Sequence, residues 1–446
     1  MNAHFIEKMK EKIASRKIDP NLYTKYNVKK GLRNDDESGV LVGLTEVGDV
    51  RGYVMDEGEM MPVEGKLIYR GINITEIVKG MKDDNRYGFE EVAFFLLFGE
   101  LPTKAELDEF NDILDSCRPL PNGFAEDMIM RAPSRDIMNK LARSVLVSYS
   151  YDEKADDISI ENVLRQCIEL IARFPVLAAY GYQAKAHYYD GESLHIHSPL
   201  PGVGTAENLL HLIRPDGVCS RLEAQLLDLA LVLHAEHGGG NNSTFTNHVV
   251  TSTLTDTYAS VAAALCSLKG PRHGGASKKA LDMMEDIMQN LKDWNDEDEL
   301  ASYLRKILNK EAFDKAGFIY GFGHAVYTLS DPRSTLLKEK AAELAAEKGI
   351  SAEFNLFEVV ERLAPQLILQ GKNAKKKVSA NVDFYSGFVY KMLNIPEALY
   401  TPIFAVARIA GWSAHRMEEL INGGRIIRPA YRCVAPKKKY IPMAER

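Results

Sequence analysis

Cysteine is scarce and scattered. Cys117, Cys167, Cys219, Cys266 and Cys433 are the only five in 446 residues, an odd number with no C-x-x-C pair. No disulfide framework follows from that spacing, and free thiols in a reducing cytoplasm are the simplest reading. Excess positive charge is also missing. The formal net charge is −7, which argues against a nucleic-acid partner, because phosphate binding usually needs a basic face. Long apolar runs are absent: "VAFFLLFGELP" is the longest and is too short to span a bilayer. The opening "MNAHFIEKMKEKIASRK" has no apolar core and carries glutamates, so neither a secretory signal nor a transit peptide is expected. There is no internal repeat, no low-complexity tract, no Walker A pattern and no G-x-S-x-G. "GFGHAV" has two of the glycines of a dinucleotide fingerprint but not the third.

What is present is a large helical chain. With 46% hydrophobic and 26% charged residues there is material for a sizeable core, and the length points to two domains or a large body with a smaller lobe. Helical periodicity dominates. "FEEVAFFLLFGELPTKAELDEFNDILDSC" reads as a helix, a glycine break and a second helix opened by Thr103, with Glu106 at capping-box spacing. "RLEAQLLDLALVLHAEHGGG" is an amphipathic helix running into His234 and stopping at the glycines 238–240. "TDTYASVAAALCSLKGPRHGGASKKALDMMEDIMQNL" is two helices around a Gly-Pro break, and "IPEALYTPIFAVARIAGWSAHRMEELINGG" starts near Pro396 and ends at Asn422-Gly423-Gly424. Strand-like material is sparse, and its clearest stretch runs from "GVLVGLTEVGDVRGYV" through "GKLIYRGI", with alternating apolar residues and turn glycines. Residues 187–204 are expected to be a surface loop. The fold class is therefore mainly α, with a small β element near the N-terminus.

Three histidines occupy glycine-rich breaks between helices: His237 in "LHAEHGGGNNSTF", His273 in "KGPRHGGAS" and His324 in "GFGHAVY". A lone histidine on an apolar face is usually a satisfied core residue; three in breaks that let a ligand approach the backbone suggest a site. His234 and His237 form H-x-x-H, which is not H-E-x-x-H, and no metal is expected there. In "ANVDFYSGFVYKML", Asn381 or Asp383 caps a helix, or Asp383 serves as a carboxylate base at its start. Arg408 lies on an apolar helix, on one face with Phe404, Trp412 and His415. It needs an anionic partner, either an internal carboxylate or a substrate.

Taken together and in this order, "LHAEHGGGNNSTF", "GPRHGGA", "GFGHAVYTLSDPR" and "NVDFYSG" resemble the citrate synthase family, as do "GKLIYRGINITEIVKG", "FEEVAFFLLFGELPT" and the segment from Arg408 to "IIRPAY". The resemblance runs from about residue 40 to the C-terminus and leaves 1–40 as an unassigned extension. It implies a two-domain helical fold, with 41–274 and 390–446 in a large domain and 275–389 in a small one. It also implies an acyltransferase of the tricarboxylic acid cycle. That enzyme condenses acetyl-CoA with oxaloacetate and hydrolyses the product to citrate and CoA, as a cytoplasmic homodimer with no permanently bound cofactor and no membrane partner. His273 would bond the thioester carbonyl, Asp383 remove a methyl proton, and His324 polarise and protonate the ketone. His237, Arg333, Arg408 and Arg428 would hold the carboxylates, Arg428 reaching across from the second subunit. Arg272 is expected to help keep His273 neutral. The sequence departs from the family pattern at Glu236, where Asp is usual, at Ser277, where Asn is frequent, and at Thr328, where a basic residue near the CoA phosphates is frequent; Lys372, Lys375, Lys376 and Lys377 would then serve those phosphates. A 2-methylcitrate synthase using propionyl-CoA is the nearest alternative, since one methylene is worth only about 1–3 kcal/mol in a pocket. A non-catalytic CoA-binding helical protein and a metal-dependent hydrolase are the other classes.

Overall fold

The computed structural model describes residues 9–10, 13–14, 17–36, 38–56, 59–370 and 377–445. It falls into two compact units, Met1–Leu44 and Thr45–Arg446. In the first, a short helix, Asn21–Lys25, precedes a 3-10 turn, Lys30–Leu32, and an isolated bridge joins Arg33 to Gly39.

The second unit opens with a three-stranded antiparallel sheet, β1 (Gly48–Asp56), β2 (Glu59–Tyr69) and β3 (Ile72–Asn73). Among the described residues fifteen α-helices follow up to residue 421: α1 (Ile74–Asp83), α2 (Phe89–Phe98), α3 (Lys104–Cys117), α4 (Ile137–Ser148), α5 (Ile160–Lys185), α6 (Thr205–Ile213), α7 (Arg221–His234), α8 (Asn242–Thr251), α9 (Thr257–Leu268), α10 (Ala276–Asn290), α11 (Glu297–Leu308), α12 (Pro332–Glu347), α13 (Ser351–Gln370), α14 (Val382–Met392) and α15 (Tyr400–Ile421). Their boundaries have local causes. Thr103 and Ser220 each form a full capping box, with Glu106 and Glu223. Gly99 ends α2 in the left-handed region at φ 84°. Asp331 caps α12 with Pro332 as first residue, a position where proline loses no hydrogen bond. The expected strand region is shorter than its apolar pattern, because 39–47 make no ladder. Helix α7 ends at His234, before the glycines, and the 187–204 segment is mainly irregular and mostly exposed or half-buried. No helix among the described residues is long and apolar enough to cross a membrane.

The core is continuous around α15, which packs on α2, α5, α7 and α8. Contact at one point requires glycine: a Cβ on Gly411 would strike the Ala235 carbonyl and the Glu236 carboxylate. The break after α7 is thus pressed directly onto α15. The hairpin does the same for another break. A Cβ on Gly52 would strike the Val326 carbonyl, and Gly65 N–H donates to Ser330 Oγ at 3.1 Å, so the 325–330 loop lies on the sheet. Finally, 321–323 pairs with 379–381: Gly323 N–H donates to Ser379 O and Asn381 N–H to Gly321 O, both at 2.9 Å. That pairing sets the segments bearing His324 and Asp383 side by side.

Candidate active site

His324 follows the paired strand-like stretch, and its ring is fixed by the backbone. Nδ1 accepts N–H groups from Val326 and Tyr327, each at 3.1 Å. Backbone N–H only donates, so Nδ1 holds the lone pair and the ring proton sits on Nε2. The ring stacks on Tyr327 at 4.6 Å and meets the His237 ring edge-on at 5.1 Å. His237 is buried, and its Nε2 has no hydrogen-bond partner among the described residues. Burial, then Arg333, His324 and Arg408, hold its pKa well below the usual histidine value, so it is neutral at pH 7.

Arg333 stands in the first turn of α12 and is buried. Its Nε and Nη2 donate to the two oxygens of Asp331 at 3.0 and 2.7 Å. The same carboxylate accepts Arg333 N–H at 3.0 Å and Val382 N–H at 3.2 Å, tying the starts of α12 and α14 together. Burial opposes the Arg333 charge, but Asp331 outweighs it and raises the pKa. Asp383 is the second residue of α14. Asn381, not Asp383, is the cap: its Oδ1 accepts Asp383 N–H at 3.0 Å. The Asp383 carboxylate is therefore left to another use. Burial pushes its pKa to about 6, with Arg333 pulling down and Asp331 pushing up.

Arg408 is fully buried on α15. Nε donates to His234 O at 2.7 Å, while Nη1 and Nη2 have no hydrogen-bond partner among the described residues. Its carbon lies over the Phe404 ring at 4.8 Å. Burial lowers its pKa to about 10 against the pull of Glu236. The Phe404 ring also meets the His273 ring edge-on at 6.2 Å. Burial, then Arg408, lowers the His273 pKa to about 4, so this ring too is neutral. The cation acting on it is Arg408 and not the adjacent Arg272, whose side chain is exposed. His273 Nε2 faces Asn241 Oδ1 and Ser243 Oγ at 3.1 Å and Ser243 N–H at 3.4 Å. An acceptor and a donor thus compete for it.

Arg333, Tyr327, His324 and His237 form one cluster; Arg408, Phe404 and His273 form a second, whose Arg408 acts on His237; and Asp383 follows Val382, whose N–H donates to Asp331. Arg428 is not brought in: it is exposed in the extended segment after α15. Lys377 is exposed, and Lys372, Lys375 and Lys376 lie outside the described residues. Thr328 is half-buried in the loop on the sheet, and its Oγ1 finds no partner among the described residues. His234 Nδ1 is 2.7 Å from Ala230 O in its own helix. Sequence reasoning missed Asp331, although Asp before a first-turn proline is a readable cap signal. It also missed Tyr327 and the buried bond between Glu236 and His415 Nε2 at 2.9 Å, for which no local signal exists.

The model of the citrate synthase C-terminal domain matches residues 37–430. The citrate synthase of Synechocystis is 34% identical over 86% of this chain and 89% of that protein. The 2-methylcitrate synthase of Shewanella oneidensis is 33% identical over 85% of this chain and 92% of that protein. The Thermoplasma acidophilum citrate synthase, solved with carboxymethyl coenzyme A and oxaloacetate, superposes with a TM-score of 0.76 at 25% identity, covering 94% of this chain and 99% of that one. On these grounds, with the helical fold and the adjoining His237 and His324 rings, the chain belongs to the citrate synthase family.

Proposed function

We propose that this protein is an acyltransferase that condenses acetyl-CoA with oxaloacetate and, with water, releases citrate and CoA. The observation that carries the reading is the pair of buried Arg408 nitrogens and the His237 Nε2, all without a hydrogen-bond partner among the described residues, with Arg408 acting on His237. A guanidinium fork left open in a dry site matches a carboxylate bidentately, and oxaloacetate has two. His237 and the outer edge of Arg333 complete the cradle. The ketone oxygen then lies against His324 Nε2–H, the one proton that the backbone leaves on that ring.

The second substrate presents a thioester whose methyl proton is too weakly acidic for a carboxylate alone. A neutral His273 donates to the developing enolate oxygen, which is worth about 3–4 kcal/mol for one preorganised donor. Asp383, basic enough at about 6 and ionised at pH 7, takes the proton. The enol carbon attacks the ketone carbon, His324 protonates the new alkoxide, and water then cleaves the thioester. The Asn241 and Ser243 contacts let His273 carry its proton on either nitrogen; the donor role requires Nδ1.

This reading includes closure of the 275–389 lobe on the rest, CoA phosphates met by Lys377 and its neighbouring lysines, a cytoplasmic location, and a homodimer in which Arg428 serves the second copy. The exposure of Arg428, and of Ile426, Tyr431, Tyr440 and Met443 around it, supports a segment completed by another chain. Free-thiol release from acetyl-CoA that requires oxaloacetate tests the reaction; no release would overturn it. Mixing inactive Arg428→Gln and Asp383→Asn chains tests the shared site, since hybrid dimers regain one intact centre. The Shewanella relative favours propionyl-CoA as a second donor, and the ratio of kcat/KM for the two thioesters decides between them.

A further inference from the structure

Beside the substrate cradle, the buried face between α8 and α15 carries a cluster that the reaction does not use. His248 Nε2 and His415 Nδ1 are 3.1 Å apart, and Glu418 Oε2 is 3.7 Å from His415 Nδ1. One ligand atom from each of His248, His415 and Glu418 lies within 4.8 Å of the other two. Each group is tied on its far side. His415 Nε2 meets Glu236 Oε1 at 2.9 Å, His248 Nδ1 meets Glu419 Oε2 at 2.9 Å, and Glu418 Oε1 accepts the Glu46 N–H at 2.7 Å. Glu418 Oε2 has no hydrogen-bond partner among the described residues.

We propose that His248, His415 and Glu418 form a site for a divalent transition-metal ion, zinc by its donor set, which clamps α8 to α15. A metal-ligating histidine almost always gives its other N–H to a carboxylate or carbonyl, which fixes the tautomer and turns the lone pair to the ion. Both rings have that partner here, Glu236 for one and Glu419 for the other. Tetrahedral zinc with bonds of about 2.0–2.1 Å separates its ligand atoms by about 3.3 Å; the separations of 3.1 and 3.7 Å bracket that figure, and the third is within 4.8 Å. Two imidazoles and one carboxylate are a three-ligand zinc set with one position left for water. Charge agrees: Glu236, Glu418 and Glu419 all bond or face the two rings, with Arg70 acting on Glu236 and Glu418 and Arg408 on Glu236, and a doubly charged ion adds to their compensation. Access is through the rim, where the His248, Glu418 and Glu419 side chains are 13, 11 and 18% exposed. The rival reading is a proton shared between the two rings.

The test uses the full chain, stripped with chelator and titrated with Zn²⁺ against a chromophoric competitor, with Co²⁺ as a spectroscopic probe. The expected result is one Zn²⁺ per chain, intense tetrahedral-type Co²⁺ bands, and a zinc-dependent rise in melting temperature. His248→Gln should weaken Zn²⁺ by about 100-fold or more, and Glu419→Gln, which touches no ligand atom position, by about 10–100-fold. His187→Gln, exposed and remote, should change nothing. Failure of the wild type to hold Zn²⁺ against the competitor overturns the proposal and leaves the shared proton. Equal Zn²⁺ binding by wild type and His248→Gln also overturns it, and assigns the metal to surface groups such as Cys266 or Cys433. A melting curve of each variant without metal shows that it is folded.

Discussion

Two arginines eight residues apart on α15 are equally buried, each with no exposed surface, yet their surroundings are opposite. Around Arg416 every nitrogen is used: Nε donates to Thr257 Oγ1 and Nη1 to Thr251 Oγ1, both at 3.1 Å, and Nη2 to Thr255 O at 2.8 Å. Around Arg408 only Nε is used. A buried charge without hydrogen bonds is expensive, so a fold keeps it only where something outside the chain completes it. The Arg416 guanidinium is completed from within the chain, while the proposed function gives the open Arg408 fork to a substrate carboxylate. The carboxylates divide the same way. Asp331 is saturated by Arg333 and two backbone N–H groups, while Asp383 is held up at about 6 by burial.

The sharpest way to break this contrast is the same substitution at both arginines. Arg408→Met removes two charge-assisted bonds to substrate, about 1.5–3 kcal/mol each. A fall of about 10²–10⁴ in kcat/KM is expected, read mainly in oxaloacetate, with the melting temperature unchanged or higher. Equal activity would mean that Arg408 is simply a core residue. Arg416→Met should do the reverse. It leaves the Thr255 carbonyl unpaired while the threonine hydroxyls find other partners, and costs about 2–4 kcal/mol of stability. Denaturant titration measures it, with activity per folded molecule retained.

The difference between the two was only half legible in sequence. Phe404, Arg408, Trp412 and His415 were readable as one face, and Arg408 was readable as needing an anion. That Thr251, Thr255 and Thr257 satisfy Arg416 was not, because they come from α8, α9 and the turn between, some 160 residues earlier. The helices, the capping box at Thr103 and the three histidine breaks were legible because each rests on local periodicity or glycine chemistry. The pairing of 321–323 with 379–381 was not, nor was the Glu236–His415 bond, since both join segments remote in sequence. Arg272 was the nearest cation along the chain to His273, but Arg408 is the one that acts on it in space.

Asp383→Asn tests the anionic side of the contrast through stability. The folded pKa, about 6, lies above the ordinary 3.8. The folded state therefore favours the protonated form. That contribution is fully present below 3.8 and lost as pH rises through 6, leaving a cost on the order of 2–3 kcal/mol at pH 8. Replacing the acid by its neutral isostere should raise stability at pH 8 and leave it unchanged at pH 4, while kcat falls by about 10²–10⁴. A pH-independent stability difference would show that Asp383 is not held against its charge.

The smallest expected effect is the acid limb of the wild-type rate. Only ionised Asp383 can accept the methyl proton. His273, at about 4, stays neutral throughout the window from 7 to 5, and burial holds His237 well below its usual value. The profile of kcat/KM should therefore fall about tenfold per pH unit below about 6, which is about 1.4 kcal/mol per unit, with a single ionisation. In Arg333→Gln the cation that pulls Asp383 down is gone, and the inflection should move to higher pH. A limb that stays in place in that variant would assign the titration to some group other than Asp383, and the division between saturated and unsaturated charges would then hold for the arginines alone.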